Sequence, residues 1–256
     1  MIAVFNRLRA ANTAAREGRF SEATRVAREV LAQDPKNAFA TIISATAEMN
    51  QGRYREAIDG YRAYLALVPT SAYAHHWMAI CFLRLGERDR ALAEADASLA
   101  IDSKYADARI LRGGVLAARG DFDAAIHELT QAVEIDPEKP ALRLDLAKVL
   151  MDAERIDEAE AQYRRALQLA PADADAHTGL GVLLAERART AEAAAELRRA
   201  LEIDPQHDEA RFDLAKVLEQ EGRRAEARAG YEAVAASETA APAIKRAARE
   251  RIALMR

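Results

Sequence analysis

Five of the seven prolines stand on one phase: Pro35, Pro69, Pro137, Pro171 and Pro205. Successive members lie 34 residues apart or twice that, and the vacant slot holds Ser103 in a matching Ile-Asp-Ser context. The residues before the prolines recur as well: Leu-Ala-Gln-Asp, Leu-Ala-Leu-Val, Val-Glu-Ile-Asp, Leu-Gln-Leu-Ala and Leu-Glu-Ile-Asp. A proline cannot continue a helix but suits the first turn of one, so each marks a junction between two helices. A fixed period of this length specifies a row of like units that bury their apolar faces against one another.

Counted on this phase, the units run 4–37, 38–71, 72–105, 106–139, 140–173, 174–207 and 208–241. Their twentieth position is always alanine: Ala23, Ala57, Ala91, Ala125, Ala159, Ala193 and Ala227. The eighth is always alanine or glycine, as in Ala45, Gly113 and Gly181. Gly18, Gly52, Gly86, Gly120 and Gly222 share the fifteenth. Small residues let two helix backbones approach closely, and glycine commonly ends a helix in a left-handed turn. Each unit therefore reads as helix A, a turn, helix B and a short loop. Composition agrees with an all-α chain: half the residues are hydrophobic but only 5% aromatic, and alanine carries much of the balance.

These columns resemble the tetratricopeptide repeat, whose period is the same. The resemblance covers residues 4–241, and it implies an all-α, right-handed superhelical solenoid of seven helix-turn-helix repeats. Residues 242–256, opened by Pro242, read as one more helix, a cap whose apolar face (Ile244, Ala248, Ile252, Met255) covers the last repeat. Three departures stand out. Glu154 and Ala188 replace the turn glycine in repeats 5 and 6. The family's aromatic at the fourth position gives way to Arg7, Thr41, His75, Arg109, Arg143, His177 and Arg211. Repeat 1 has Ala10 and Ala14 where bulkier residues are usual.

At 100° per residue, positions 4, 7, 8 and 11 of helix A fall on one side, and positions 2, 5, 6, 9, 12 and 13 on the other. The resemblance places the second set on the concave groove of the superhelix. In repeats 1 to 4 the expected groove is apolar and aromatic, with Phe39, Ile43, Met49, Tyr73, His76, Trp77, Ile80, Leu83 and Leu111 as partner-binding candidates. In repeats 5 to 7 it is mostly acidic. Asp145, Lys148, Asp213 and Lys216 are the candidates there, among Asp152, Asp175 and Glu209. Ile43, Trp77 and Leu111 fill position 6, usually polar in the family, so their burial is expected to come from a partner.

The resemblance implies binding of a protein or peptide, but two of the family's ligand modes lack their residues. The clamp for carboxylate tails keeps only Asn12, and the asparagine ladder has no asparagine at position 6.

Catalysis and cofactors are not expected. His75 and His76 are adjacent and point about 100° apart, so they cannot chelate one metal ion in a helix. Cys81 is expected to be half-buried, with no constellation that would activate it. The turn glycines sit singly, and the one doublet, Gly113-Gly114, falls inside helix A of repeat 4, so no phosphate-cradling loop is expected. A formal net charge of −4 gives no general attraction for nucleic acid or anionic membrane.

No stretch of about 18 apolar residues appears, and Arg7 and Arg9 interrupt the start, so a membrane span and a signal peptide are not expected. The expectation is a cytoplasmic, non-catalytic interaction scaffold whose partner is a peptide, a helix, a domain or a second copy. The alternative is the repeat appendage of a larger bacterial enzyme, sulfatase- or transferase-like, that docks within its own chain or oligomerises. The start inside repeat 1 fits that alternative.

Overall fold

The computed structural model describes residues 2–255, and all their regular structure is helical. One compact unit ends at Ile135 and a second begins at Asp136. The first holds α1 (Ile2–Arg16), α2 (Phe20–Gln33), α3 (Ala38–Asn50), α4 (Tyr54–Leu67), α5 (Ala72–Arg84), α6 (Arg88–Ile101), α7 (Ala106–Ala117) and α8 (Phe122–Ile135). The second holds α9 (Pro140–Asp152), α10 (Ile156–Leu169), α11 (Ala174–Glu186), α12 (Thr190–Ile203), α13 (Asp208–Gln220), α14 (Arg224–Ala236) and α15 (Pro242–Leu254). Odd-numbered helices up to α13 are helices A, and even-numbered ones are helices B.

Helices A start where the residue before them can serve the free N–H groups of a first turn. The side chains of Asn37, Ser71, Asp173 and His207 each accept from the backbone N–H three residues on, at 3.0, 3.2, 3.0 and 3.2 Å. Pro140 opens α9, where a missing N–H costs nothing.

Helices A end in a shared pair of backbone bonds. In the first repeat Arg19 N–H reaches Ala14 O at 2.8 Å and Gly18 N–H reaches Ala15 O at 3.2 Å, around a left-handed residue. The five turn glycines have φ from +77° to +84°. Glu154 and Ala188 adopt φ of +60° and +57° and keep the same bonds, from Arg155 N–H to Leu150 O and from Arg189 N–H to Leu184 O. The turn thus survives without its glycine, because the bonds and the packing of both helices hold it. A side chain in this region costs roughly 1–2 kcal/mol.

Between the helices of a pair, positions 8 and 20 meet. A Cβ added to Gly113 would sit 3.3 Å from the Ala125 carbonyl oxygen, and one added to Gly181 would sit 3.3 Å from that of Ala193. The alanines of the twentieth column are fully buried. The fourth column explains its missing aromatics: its polar side chains tie helix A to helix B. His75 Nδ1 lies 2.7 Å from Glu94, Arg109 donates to Glu128 at 2.8 Å, Arg143 to Gln162 at 3.1 Å, and His177 Nδ1 lies 2.6 Å from Glu196. Arg109, Arg143 and Arg211 also donate to the carbonyls of Ser103, Pro137 and Pro205 in the preceding loop.

In the second unit α15 packs on α14. Ala248 is buried, with Ile244, Ile252 and Met255 against Tyr231 and Leu218. Arg251 donates to Glu219 at 2.6 Å.

Replacing Glu154 or Ala188 by glycine should raise stability by about 0.5–1 kcal/mol each, the relief of left-handed strain less the entropy of a looser unfolded chain. Urea unfolding measures it. Unchanged midpoints would mean that these turns store no strain.

Candidate functional site

Helix A packs on two sides. α3 contacts α2 and α4, α5 contacts α4 and α6, and α11 contacts α10 and α12. Burial consequently covers more of each helix than one face. In α11 it takes Ala176, Thr178, Leu180, Gly181, Leu183 and Leu184, and in α9 the same six positions, from Leu142 to Leu150. Positions 2, 6, 9 and 13 are the strip left nearest to solvent.

Three candidates from the first unit are accordingly corrected. Met49, at position 12, and His76, at position 5, are buried: Met49 packs with Ile58 and Tyr61, and His76 lies between the rings of Trp77 and Tyr105. Ile43 lies at position 6 yet is only 4% exposed: it packs with Leu8, Ala40 and Ala47 in a core shared by the first two repeats, whose small alanines leave room for it. Trp77, Ile80 and Leu83 are partly buried against the cluster of Tyr61, Met78 and Phe82, so the chain itself supplies much of their cover. Leu111 is half-buried. Phe39 and Tyr73, both at position 2, are exposed. Cys81 is fully buried rather than half-buried, and burial pushes its thiol up to about 12.

Around Trp77 the rings form a chain of edge-on and tilted contacts, with Tyr73 to Trp77 at 5.8 Å, Trp77 to His76 at 5.2 Å and His76 to Tyr105 at 5.0 Å. The buried Trp77 Nε1 and His76 Nδ1 have no hydrogen-bond partner among the described residues. Burial lowers the His76 pKa, so its folded form is neutral. At the start of this unit a cavity of about 520 Å³ lies among Val4, Phe5, Leu8, Val30 and Phe39, with Gln33, Asp34 and Asn37 on its polar side.

The second unit has a cavity on its own strip, about 400 Å³ in volume. Asp152, Asp175, Glu209 and Asp213 line it, with Lys148 as the single cation. Met151, Tyr163, Val182, Phe212 and Ile244 supply its apolar surface. Asp145 and Lys216 lie outside this lining. Asp145 is half-buried and its carboxyl is raised by burial, opposed by Lys148 and Lys139. Lys216 donates to Asp213 at 3.1 Å and stands 5.9 Å from the Phe212 ring centre. His207 holds Asp175 at 3.0 Å.

Two lining residues fall outside the groove positions read from the sequence: Tyr163, on a helix B, and Ile244, read there as part of the cap. Ile244 comes from α15, so that helix borders the cavity as well as covering α14. The available signal was Gly179, the one glycine at position 6.

Among the described residues no group of three or more His, Cys, Asp or Glu side chains is placed to hold a metal ion. No helix among them is long and apolar enough to cross a membrane.

A family model for the tetratricopeptide repeat matches residues 116–183 and 183–250, and a second matches 8–72 and 78–140. Among solved structures, a tetratricopeptide repeat protein from Parabacteroides merdae is 15% identical, with 100% of this chain and 99% of that chain covered and a TM-score of 0.74. YrrB, a TPR protein with an unusual peptide-binding site, is 22% identical over 75% of this chain and 99% of its own, with a TM-score of 0.57. A thermophilic TPR protein of Thermus thermophilus is 25% identical over 71% of this chain and 99% of its own, also with a TM-score of 0.57. No curated protein matches the chain.

Trp77→Ala should cost roughly 1.5–3 kcal/mol, less than a fully buried tryptophan because the ring is half covered. In the free wild-type protein its emission should be blue-shifted and resistant to quencher. Red-shifted, readily quenched emission with an unchanged urea midpoint would restore Trp77 to an open surface. The neutral His76 sets a pH dependence too. Below the ordinary histidine pKa of about 6.5 the unfolded chain takes up a proton that the folded chain refuses, so stability should fall as pH drops from there. Melting temperatures from pH 7 to 5.5 should decline more steeply in wild type than in His76→Gln. Parallel slopes would remove His76 as the cause.

Proposed function

The chain belongs to the tetratricopeptide-repeat family, and from that footing we propose that it is a non-catalytic scaffold holding a basic peptide segment along helices A of repeats 5 to 7. The observation that carries this is the second-unit cavity, where four carboxylates face one lysine above an apolar floor. Family membership supports a protein or peptide as the ligand class. The charge supports a basic one, and the floor of Met151, Val182 and Phe212 supports apolar side chains between the charges. Unlike the ring cluster around Trp77, where Trp77 and His76 are covered by their neighbours, this cavity leaves charged groups open to a ligand. Asp152 and Glu209 make no ion pair among the described residues.

Attraction between partly exposed charges weakens as salt shortens the screening length from about 10 Å at 0.1 M. A fluorescein-labelled peptide of alternating lysine and leucine should therefore bind less tightly as sodium chloride rises from roughly 50 to 300 mM. Asp152→Asn with Glu209→Gln should lower its affinity by about twofold to tenfold, the range of two exposed ion pairs. Fluorescence anisotropy reads both. Binding that ignores salt and the double variant would reduce these carboxylates to a solvated face.

A further inference from the structure

Within this cavity one phenol stands apart from its counterparts. Tyr61, Tyr163 and Tyr231 occupy the same place in α4, α10 and α14, and each is almost wholly buried, Tyr163 to 2% exposure. The Tyr61 hydroxyl donates to Thr46 Oγ1 at 3.3 Å, and that of Tyr231 to Glu219 Oε2 at 3.0 Å. Repeat 5 has Lys148 where repeat 2 has Thr46, and Met151 where repeat 7 has Glu219. The Tyr163 hydroxyl makes no hydrogen bond among the described residues. Its end of the ring lies beneath Gly179, where an added Cβ would come within 2.4 Å of the ring and 2.7 Å of the hydroxyl oxygen. Any side chain at 179 would meet the phenol, so glycine is what leaves it open at the cavity floor. Burial, and then the charges of Asp152 and Glu186, push its pKa up to about 12, so it keeps its proton.

Resting on the groove reading above, we infer that this floor is a subsite for one guanidinium group, the side chain of an arginine in the partner segment. A hydroxyl open at the floor of the cavity, on a side chain otherwise buried and without a partner among the described residues, favours a ligand that brings one. The carboxylates around it select a cation, and two of them, Asp152 and Glu209, make no ion pair among the described residues. An ammonium is a compact point charge. A guanidinium carries five N–H donors in a rigid plane, so it can donate to the Tyr163 oxygen and to a carboxylate together, with Phe212 on the same wall for its flat face. Lys216 near the Phe212 ring already shows that this ring accepts a cation.

The test compares two octapeptides of equal charge, one alternating arginine with leucine and the other lysine with leucine, by anisotropy on the full chain. The arginine peptide should bind the wild type about threefold to tenfold more tightly, the worth of one added hydrogen bond. Tyr163→Phe should erase that preference and leave the lysine peptide's affinity unchanged. Its melting temperature should hold, since the hydroxyl bonds to nothing among the described residues. Gly179→Ala, which covers the floor, should weaken the arginine peptide, and circular dichroism checks that this variant is folded. Equal wild-type affinity for the two peptides, or a preference that survives Tyr163→Phe, overturns the subsite while salt-sensitive binding of the lysine peptide still supports the groove. Failure of both peptides to bind overturns the groove reading and the subsite with it.

Discussion

The close approach of helices A and B at positions 8 and 20 is the contact on which each repeat depends. The twentieth column is alanine throughout and fully buried. At Gly113 and Gly181 even a methyl group would press on the facing carbonyl at 3.3 Å. Two helix axes this near leave no room for a bulky side chain between them, so the apolar volume is displaced to flanking positions. Leu129 and Leu197 supply it, each lying against the glycine of the opposite helix. Dense interiors tolerate this only when every neighbour agrees, which explains why a column of small residues repeats with so little variation.

Because helix B approaches helix A on both sides, the accessible surface of A is reduced to a narrow strip. Positions 3, 5, 7, 8, 10 and 11 are the buried ones in α9 and α11, and their residues are apolar or small in nearly every repeat. Positions 2, 6, 9 and 13 escape this demand and vary freely: Tyr73, Trp77 and Ile80 in repeat 3, and Glu209, Asp213 and Lys216 in repeat 7. The same geometry that fixes the fold therefore frees a few residues for recognition, without telling which partner they serve.

That division governs what could be read from the sequence. The phase of the prolines and the small-residue columns made the helical repeats legible, since each column is constrained independently in several copies. The strip was legible only in part. A single-face view of helix A put positions 5 and 12 in the groove, and both turned out to be buried, Met49 against Tyr61 of its own helix B and His76 between the rings of Trp77 and Tyr105. Position 6 misled at Ile43, where the alanines of repeat 1 leave a space that isoleucine fills. The acidic lining in repeats 5 to 7 needed only the charges at positions 2, 6 and 13, so Asp152, Asp175, Glu209 and Asp213 could be seen without coordinates. The meeting of Tyr163 with Gly179 could not, because it joins a helix B to the helix A of the next repeat.

The left-handed turns and the tyrosine column carry the same lesson in different chemistry. Glu154 and Ala188 keep their turns because backbone bonds and two packed helices outweigh a local cost of roughly 1–2 kcal/mol. A repeat that satisfies its shared contacts can thus absorb a departure elsewhere. Tyr163 is such a departure: its ring fills the place its counterparts fill, while the replacement of Thr46 and Glu219 by Lys148 and Met151 withdraws the hydroxyl's partner. The bulk of the ring serves the fold and is retained, whereas the hydroxyl serves only what reaches it. With Gly179 above it and four carboxylates around, that hydroxyl has no partner among the described residues, so a ligand or water has to satisfy it. Recognition in such an array is therefore carried by residues that break their column at no cost to packing.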